Sequence, residues 1–525
     1  MDPEFNFPMS EAVRQAYSAG QEDETLLPLI LTTPQSEPQG RICQGDSVIF
    51  YNIRGEREIE LTRSLTEKDF TQFPVAPDLE LHFATMIEYQ KGLNVLGGFP
   101  PHESHQDTLS DVISHHNLKQ IKITEAEKAV HVGFFMNGKK KELLPGEERM
   151  VIPTRKDVAL FDEAPEMSID QIAAAAIDKI HDCNYNFIVI NFPNVDVVGH
   201  IENEAAVIHA VEAVDKYTGI VVEAALKEHI PVIVTADHGT AEKWYYPDGT
   251  VDTGHTDSPV PFILMHPDKK LTLHKEGDLT GVAPTALSIL GLPVPASMTG
   301  LSLIKQKAPA SSRRLLLVIL DGWGLSDDPR ASLIARARTP VMTELLNTYP
   351  RAKLAAAGAA VGLPPGTVGN SEAGHLHIGA GRIIYSDRLA IDQAISDKSF
   401  FQNDAFLEVI RKAKRTDKSL HLMGIVSFFS SHGSLNHLFA LMQMAQKEGM
   451  QKLYLHSMLG RRGEMPESGA RYIRKVEEKN LSLKTGKLVS VIGRYWSMDR
   501  EENWDRIQKT YRMLVYGDGT KVRGA

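Results

Sequence analysis

Three mainly apolar runs, at residues 185–192, 232–235 and 315–320, each lead within a few residues to an aspartate: Asp196, Asp237 and Asp321. Short runs of this kind read as buried strands, and open α/β sheets place their ligands just beyond the carboxyl ends of strands. The three aspartates therefore point to one shared crevice. That requirement belongs to a layered α/β fold and constrains the chain before any other feature does.

The rest of the sequence alternates in the same way. A helix near 10–19 and a strand at 47–53 open it. Residues 107–120 read as helix, 121–123 as strand, 125–130 as helix and 131–135 as strand, and an amphipathic helix at 205–229 joins two of the apolar runs. Strands follow at 419–426, 452–456 and 488–492, with helices at 435–448 and 466–480. Residues 305–312 are polar and aperiodic and read as a linker. The apolar strand after them has the character of a first core strand. A chain of 525 residues is expected to fold as two domains of roughly 150 to 300 residues each.

The formal net charge of -10 gives no long-range attraction to nucleic acid or to an anionic membrane. An anionic ligand would have to be met by a local basic cluster. Cys43 and Cys183 cannot build a disulfide framework and lack metal-ligand spacing, so both read as inert thiols. No run of about 18 apolar residues occurs and no apolar leader is recognisable, so a cytoplasmic protein is expected.

Asp237-His238-Gly239 ends the second apolar run, between Asp196-x-x-x-His200 upstream and Gly254-His255-Thr256 downstream. Asp321-Gly322-Trp323-Gly324 ends the third, and Gly369-Asn370-Ser371-Glu372 offers a hydroxyl in a glycine-bearing turn. Two divalent cations a few ångströms apart can hold a phosphate oxygen and an activated hydroxyl together. Asp196, His200 and His255 form an imidazole-rich set that suits Mn²⁺ or Zn²⁺ better than Mg²⁺. Asp321, Asp237, His238 and the Ser371 oxygen form a second set, where coordination would activate a poor serine nucleophile. Any one of these residues alone would be an ordinary structural polar group. Their joint occurrence at strand ends and turns carries the reading.

Arginines also recur at strand ends. Arg54 and Arg57 follow the strand at 47–53 and are expected on one face of the next helical turn. Arg461 and Arg462 follow the strand at 452–456, and Arg494 and Arg500 bracket Tyr495-Trp496-Ser497-Met498-Asp499. In an acidic chain this distribution suggests bidentate recognition of phosphate and carboxylate, although a single arginine is commonly a surface ion-pair partner. Lys128 offers a point charge beside a phosphoryl group. His432, within Ser430-Ser431-His432-Gly433-Ser434, is a loop histidine that can serve as acid, base or hydrogen-bond donor.

Together these motifs resemble those of the cofactor-independent phosphoglycerate mutases, metal-dependent members of the alkaline phosphatase superfamily. The resemblance rests on Asp321-Gly322-Trp323-Gly324, Gly369-Asn370-Ser371-Glu372-Ala373-Gly374-His375, Gly379-Ala380-Gly381-Arg382, Gly493-Arg494-Tyr495 and Met498-Asp499-Arg500. It continues through Glu127-Lys128, Asp196-Val197-Val198-Gly199-His200 and Ala236-Asp237-His238-Gly239. It implies a two-domain α/β fold: an alkaline-phosphatase-like α/β/α sandwich plus a smaller α/β transferase domain. The family begins with the strand that carries Asp321, so this chain is expected to be circularly permuted, with residues 305–313 joining the usual chain ends. The metal-binding domain is then expected at 104–385 and the discontinuous substrate-orienting domain at 10–103 and 386–525.

The reaction implied by the resemblance interconverts 3-phosphoglycerate and 2-phosphoglycerate through a phosphoserine at Ser371, without bisphosphoglycerate. Two divalent ions, Mn²⁺ by preference and Mg²⁺, Co²⁺ or Zn²⁺ as alternatives, would be held by Asp196, His200, His255, Asp237, His238, Asp321 and Ser371. Lys128 would stabilise phosphoryl oxygens, and Arg54, Arg57, Arg462, Arg494 and Arg500 would hold the substrate's carboxylate and phosphate. His432 would help hand the phosphoryl group over. The implied partner is a small phosphorylated metabolite, with no nucleic acid and no membrane, and the implied state is a monomer. Gly460 and Gly463 stand where the family has aspartates flanking the arginine matched by Arg462. Losing a general-base carboxylate costs on the order of 10²- to 10⁴-fold. A metal-dependent phosphomonoesterase or phosphotransferase acting on another small phosphorylated metabolite is therefore the alternative.

Overall fold

The computed structural model describes residues 7–99, 105–246, 249–266, 271–306, 313–428, 430, 432–460 and 467–524. Arg462, together with Arg461, Gly463 and most of the linker, lies outside the described residues. The chain divides into two compact units, His102–Ser386 and the pair of segments Met1–Pro101 and Asp387–Ala525.

Among the described residues sixteen strands form two sheets of eight. In chain order they are β1 (Leu29–Thr32), β2 (Ser47–Phe50), β3 (His82–Ile87), β4 (Leu96–Phe99), β5 (Gln120–Glu125), β6 (Glu147–Ile152), β7 (Phe187–Phe192) and β8 (Val232–Thr235). They continue with β9 (Val260–Met265), β10 (Glu276–Asp278), β11 (Leu315–Leu320), β12 (Arg351–Ala355), β13 (Leu420–Ile425), β14 (Leu453–Leu459), β15 (Lys487–Gly493) and β16 (Thr520–Arg523).

The sheet of the His102–Ser386 unit has the order β10-β12-β9-β8-β11-β7-β5-β6. Its central strand β11 reads Leu-Leu-Leu-Val-Ile-Leu and is buried at every position, as a strand covered on both faces must be. β11 runs parallel to both β7 and β8, and β5 runs parallel to β7. The carboxyl ends of β5, β7, β11 and β8 therefore line up along one edge, which is where the candidate ligands emerge. Helices Ile169–His181 and Glu204–Lys227 contribute buried alanine, valine and isoleucine side chains to the core that covers this sheet.

The second unit builds its sheet from both ends of the sequence, in the order β16-β1-β15-β14-β13-β2-β3-β4. β2, β13, β14 and β15 are parallel neighbours, whereas β1 is antiparallel to β15 and parallel to β16. Two apolar clusters cover it, one around Leu422, Leu441 and Ile473 and the other around Phe50, Met423 and Tyr511.

Local structure departs from the sequence reading in three places. Residues 131–135 are not a strand but one wide helical turn, closed by the Met136 N–H donating to His131 O at 3.0 Å. A short apolar run cannot be told from helix by periodicity, and here its Val132 packs into the core instead of pairing with a neighbouring strand. The helix expected at 107–120 spans only Leu109–His115, opened by a Thr108–Asp111 capping box, and Gln120 already begins β5. Arg54 and Arg57 precede helix Ile59–Thr66 and lie in a turn, with the Glu58 N–H donating to Gly55 O at 3.1 Å. No helix among the described residues is long and apolar enough to cross a membrane.

Candidate metal and nucleophile site

Each strand end on the aligned edge delivers at least one polar group. Asp321 follows β11 directly, and Gly322 behind it takes a left-handed turn, φ +83°, in which a Cβ would fall 2.7 Å from the Asp196 nitrogen. That contact lets the Asp196 N–H donate to Asp321 O at 3.1 Å, so the short helix Asn194–Gly199 after β7 is pinned against the end of β11. Asp237 and His238 follow β8. Ser371 opens helix Ser371–Ala380, whose amino end is capped by the Asn370 side chain accepting from the Ala373 N–H at 2.9 Å. Gly374 lets this helix lean on β8, because a Cβ there would sit 2.4 Å from the Asp237 carbonyl oxygen.

The Lys128 ammonium, just beyond β5 and buried, sits among these groups. Its Nζ donates at 2.6 Å to each of Asp196 Oδ2, Asp321 Oδ1 and Ser371 Oγ. Burial alone would lower its pKa, but the carboxylates of Asp321, Asp196 and Asp237 outweigh burial and raise it, so it stays charged. Burial would raise Asp196 and Asp237. The Lys128 charge and the neighbouring histidines overcome it at Asp196, and His238 and His375 do so at Asp237, holding both well below the usual carboxylate range. Asp321 moves the other way, raised by burial and by the Asp237 charge beside it. His131, at the rim, is pushed down to about 3 by burial and by His375.

The histidines show what the cluster is built to hold. His200 Nδ1 faces Thr253 O at 2.8 Å, His255 Nδ1 faces Gly369 O at 3.0 Å, and His238 Nδ1 faces Gly239 O at 3.2 Å. A nitrogen that meets a carbonyl oxygen must carry the proton, which leaves each neutral ring with a bare Nε2. Those nitrogens converge: His200 and His255 Nε2 lie 3.1 Å apart, and Asp196 Oδ1 lies 3.0 Å from His255, 3.4 Å from His200 and 3.7 Å from His238. Lone pairs facing lone pairs and a carboxylate need a cation between them, and histidines tethered through their other nitrogen are how proteins hold one. Asp237 Oδ2 gives a second sign, being buried without a hydrogen bond among the described residues and 3.2 Å from His375 Nδ1.

Two groups have the spacing of metal ligands, Asp196 with His238 and His255, and Asp237 with Asp321 and His375. His238 is shared in effect, since its Nε2 also lies 2.9 Å from Ser371 Oγ and 3.6 Å from Asp321 Oδ1. The donor set of oxygens and imidazoles fits divalent first-row ions.

Sequence reasoning missed three residues here. His375 stands one helical turn after Ser371, a spacing that puts both on one face. Asn191 on β7 donates to Asp321 Oδ2 at 2.8 Å and faces His375 Nε2 at 3.1 Å. Glu242, fully buried, accepts from the Thr240 N–H at 2.9 Å and from the Thr256 hydroxyl, bracing the loops that carry His238 and His255.

Arg54, Arg57, Arg494, Arg500 and His432 lie on the other unit, at the carboxyl ends of its parallel strands. Arg57 donates to Met498 O at 3.1 Å, Arg500 pairs with Glu56 at 3.1 Å, and Ile53 N–H donates to His432 O at 2.7 Å. These contacts bring the turn after β2, the loop after β13 and the segment after β15 together. Arg54 is exposed. Arg494 is 5% exposed and 3.7 Å from Glu24. Its aliphatic stem fills the space beside Gly460, where a Cβ would come within 2.4 Å of the Arg494 Cδ.

Among protein families, the one described as "Metalloenzyme superfamily" matches residues 26–294, and that described as "BPG-independent PGAM N-terminus" matches residues 391–525. A segment the family places at its amino end thus comes after the metal-binding segment here. Three similar proteins are named 2,3-bisphosphoglycerate-independent phosphoglycerate mutase. That of Moorella thermoacetica is 41% identical over 296 residues, 56% of this chain and 57% of the relative. That of Thermosynechococcus vestitus is 40% identical over 302 residues, 56% of this chain and 55% of the relative. That of Salinibacter ruber is 44% identical over 211 residues, 40% of each. Each match spans between two fifths and three fifths of the relative's length. A crystal structure of Leishmania mexicana phosphoglycerate mutase at low cobalt concentration is 30% identical, with a TM-score of 0.39 over 52% of this chain and 53% of that one.

Proposed function

The chain belongs to the metalloenzyme superfamily, in the branch of the cofactor-independent phosphoglycerate mutases, and on that premise we propose that it interconverts 3-phosphoglycerate and 2-phosphoglycerate through a phosphoserine at Ser371. The observation that carries this reading is the Ser371 hydroxyl, buried at a helix amino end between Lys128 Nζ at 2.6 Å and His238 Nε2 at 2.9 Å. Divalent cations, Mn²⁺ by preference, held by Asp196, His200, His255, Asp237, His238, Asp321 and Ser371 would polarise the phosphoryl oxygens and acidify that hydroxyl.

The protein's own groups supply the rest. Ser371 Oγ gives up its proton and bonds to phosphorus as the bond from phosphorus to the glycerate oxygen breaks, and the departing glycerate oxygen takes up a proton to become a hydroxyl. Lys128 offsets the charge on the phosphoryl oxygens, and the amino end of helix Ser371–Ala380 favours the anionic phosphoserine. Arg54, Arg57, Arg462, Arg494 and Arg500 hold the glycerate carboxylate and phosphate in the substrate-orienting unit, so that the other hydroxyl and not water retrieves the phosphoryl group. His432 assists that return. No bisphosphoglycerate enters this scheme. A cytoplasmic monomer completes the reading, which draws every catalytic group from one chain.

A second reading has one observation behind it. Gly460 and Gly463 leave the loop after β14 without a carboxylate at either position, which suits hydrolysis or transfer from another small phosphorylated metabolite. Rapid acid quench of the Mn²⁺-loaded protein with 3-phosphoglycerate, followed by peptide mass spectrometry, tests the phosphoserine. Phosphate on the Ser371 peptide is expected, and its absence under turnover would defeat the mechanism.

A further inference from the structure

At the carboxyl edge of the second sheet is a carboxylate facing an imidazole that no motif announced. Glu58 is fully buried and stands at the start of helix Ile59–Thr66. Its Oε1 accepts from Asn52 Nδ2 at 2.7 Å, its Oε2 accepts from the Arg57 N–H at 3.1 Å, and its carbonyl accepts from the Thr62 hydroxyl at 2.7 Å. Asn52 cannot turn round, because its Oδ1 accepts from the Ile425 N–H at 2.8 Å. The carboxylate is therefore fixed in place, and Oε1 faces His432 Nδ1 at 3.4 Å. Nδ1 is buried and makes no hydrogen bond among the described residues. The loop is held separately, by the Ile53 N–H on His432 O at 2.7 Å and the Ser430 hydroxyl on the His432 N–H at 3.1 Å. An imidazole nitrogen facing a carboxylate oxygen must carry the proton, since a lone pair there would meet another lone pair. A separation of 3.4 Å is long for a hydrogen bond, and contacts of this kind tighten when substrate binds.

We propose that Glu58 is a positioning residue that holds His432 as the Nδ1–H tautomer and leaves Nε2 free as the base for the phosphoryl return step, an inference that rests on the mutase reading above. In that step the glycerate hydroxyl oxygen bonds to phosphorus, the bond from phosphorus to Ser371 Oγ breaks, and the hydroxyl proton passes to His432 Nε2. Glu58 balances the imidazolium so formed. With glycine at positions 460 and 463, the loop after β14 supplies no carboxylate there, and the Glu58–His432 pair takes over the proton transfer.

The test begins on the unaltered, metal-loaded protein. Long-range ¹H–¹⁵N NMR, with the His432 signals assigned by their loss in His432→Gln, should show the proton on Nδ1. A proton on Nε2 instead overturns the proposal without any variant at Glu58. Glu58→Gln should then mix the tautomers and lower kcat on the order of 10²-fold, with KM within about threefold, and Glu58→Asp should recover part of the loss. Unchanged tautomer and unchanged kcat in Glu58→Gln would overturn it equally. If the unaltered protein forms no 2-phosphoglycerate, the mutase reading fails and the base role falls with it, while the NMR result still decides whether Glu58 sets the tautomer.

Discussion

Lys128 occupies the place where charges must cancel. It binds Asp196, Asp321 and Ser371, which are 68, 193 and 243 residues away in sequence. Its candidacy was legible from Glu127-Lys128 and from a strand before it, but these partners were not, because no local pattern says which distant strand end a side chain will meet. Lys128→Met should lower kcat on the order of 10²- to 10³-fold while both metal groups still bind, measured by steady-state kinetics beside metal quantitation. His375 shows the opposite case. A lone histidine in a helix carries no local sign of function, and its role is set by Asp237 3.2 Å away on another element.

At the scale of elements, the strand ends were the most readable feature, since apolar runs and the aspartates after them follow from burial and from the geometry of parallel sheets. Elements whose conformation depends on tertiary packing were not readable. The wide turn at His131–Phe135 looked like a strand, and the turn carrying Arg54 and Arg57 looked like helix. The seating of helix Ser371–Ala380 depends on Gly374, whose missing Cβ admits the Asp237 carbonyl. Gly374→Ala must move the helix or the strand end. A stability loss of about 1–3 kcal/mol in urea titration and at least a tenfold loss of kcat are expected. Full activity in this variant would mean that helix and strand end can separate without harm to the site.

For the whole molecule, the two ends of the sequence build one unit, in which β1–β4 share a sheet with β13–β16. That sheet also holds a buried polar chain which sequence did not reveal: Asp46 to His421 at 3.2 Å, His421 to His456 at 3.0 Å and His456 to Ser490 at 2.8 Å. Burial, and then His421, hold His456 well below its ordinary value of 6.5. The unfolded chain therefore binds a proton below about pH 6.5 that the folded protein refuses, so stability falls with acidification by up to about 1.4 kcal/mol per pH unit until the folded pKa is reached. Asp46 adds a loss of the same sign at lower pH: burial would raise its pKa, but the His421 contact outweighs burial and lowers it. His456→Gln should flatten the difference in urea-unfolding free energy between about pH 7.5 and about pH 5.5.

On the proposed mechanism, phosphoryl transfer returns to glycerate and not to water. Protein stripped with EDTA, reloaded with Mn²⁺ and given 3-phosphoglycerate without bisphosphoglycerate, can be followed by phosphorus NMR. 2-Phosphoglycerate with little free phosphate is expected, with no turnover before Mn²⁺ is restored. Free phosphate alone, or turnover that survives EDTA, would contradict it.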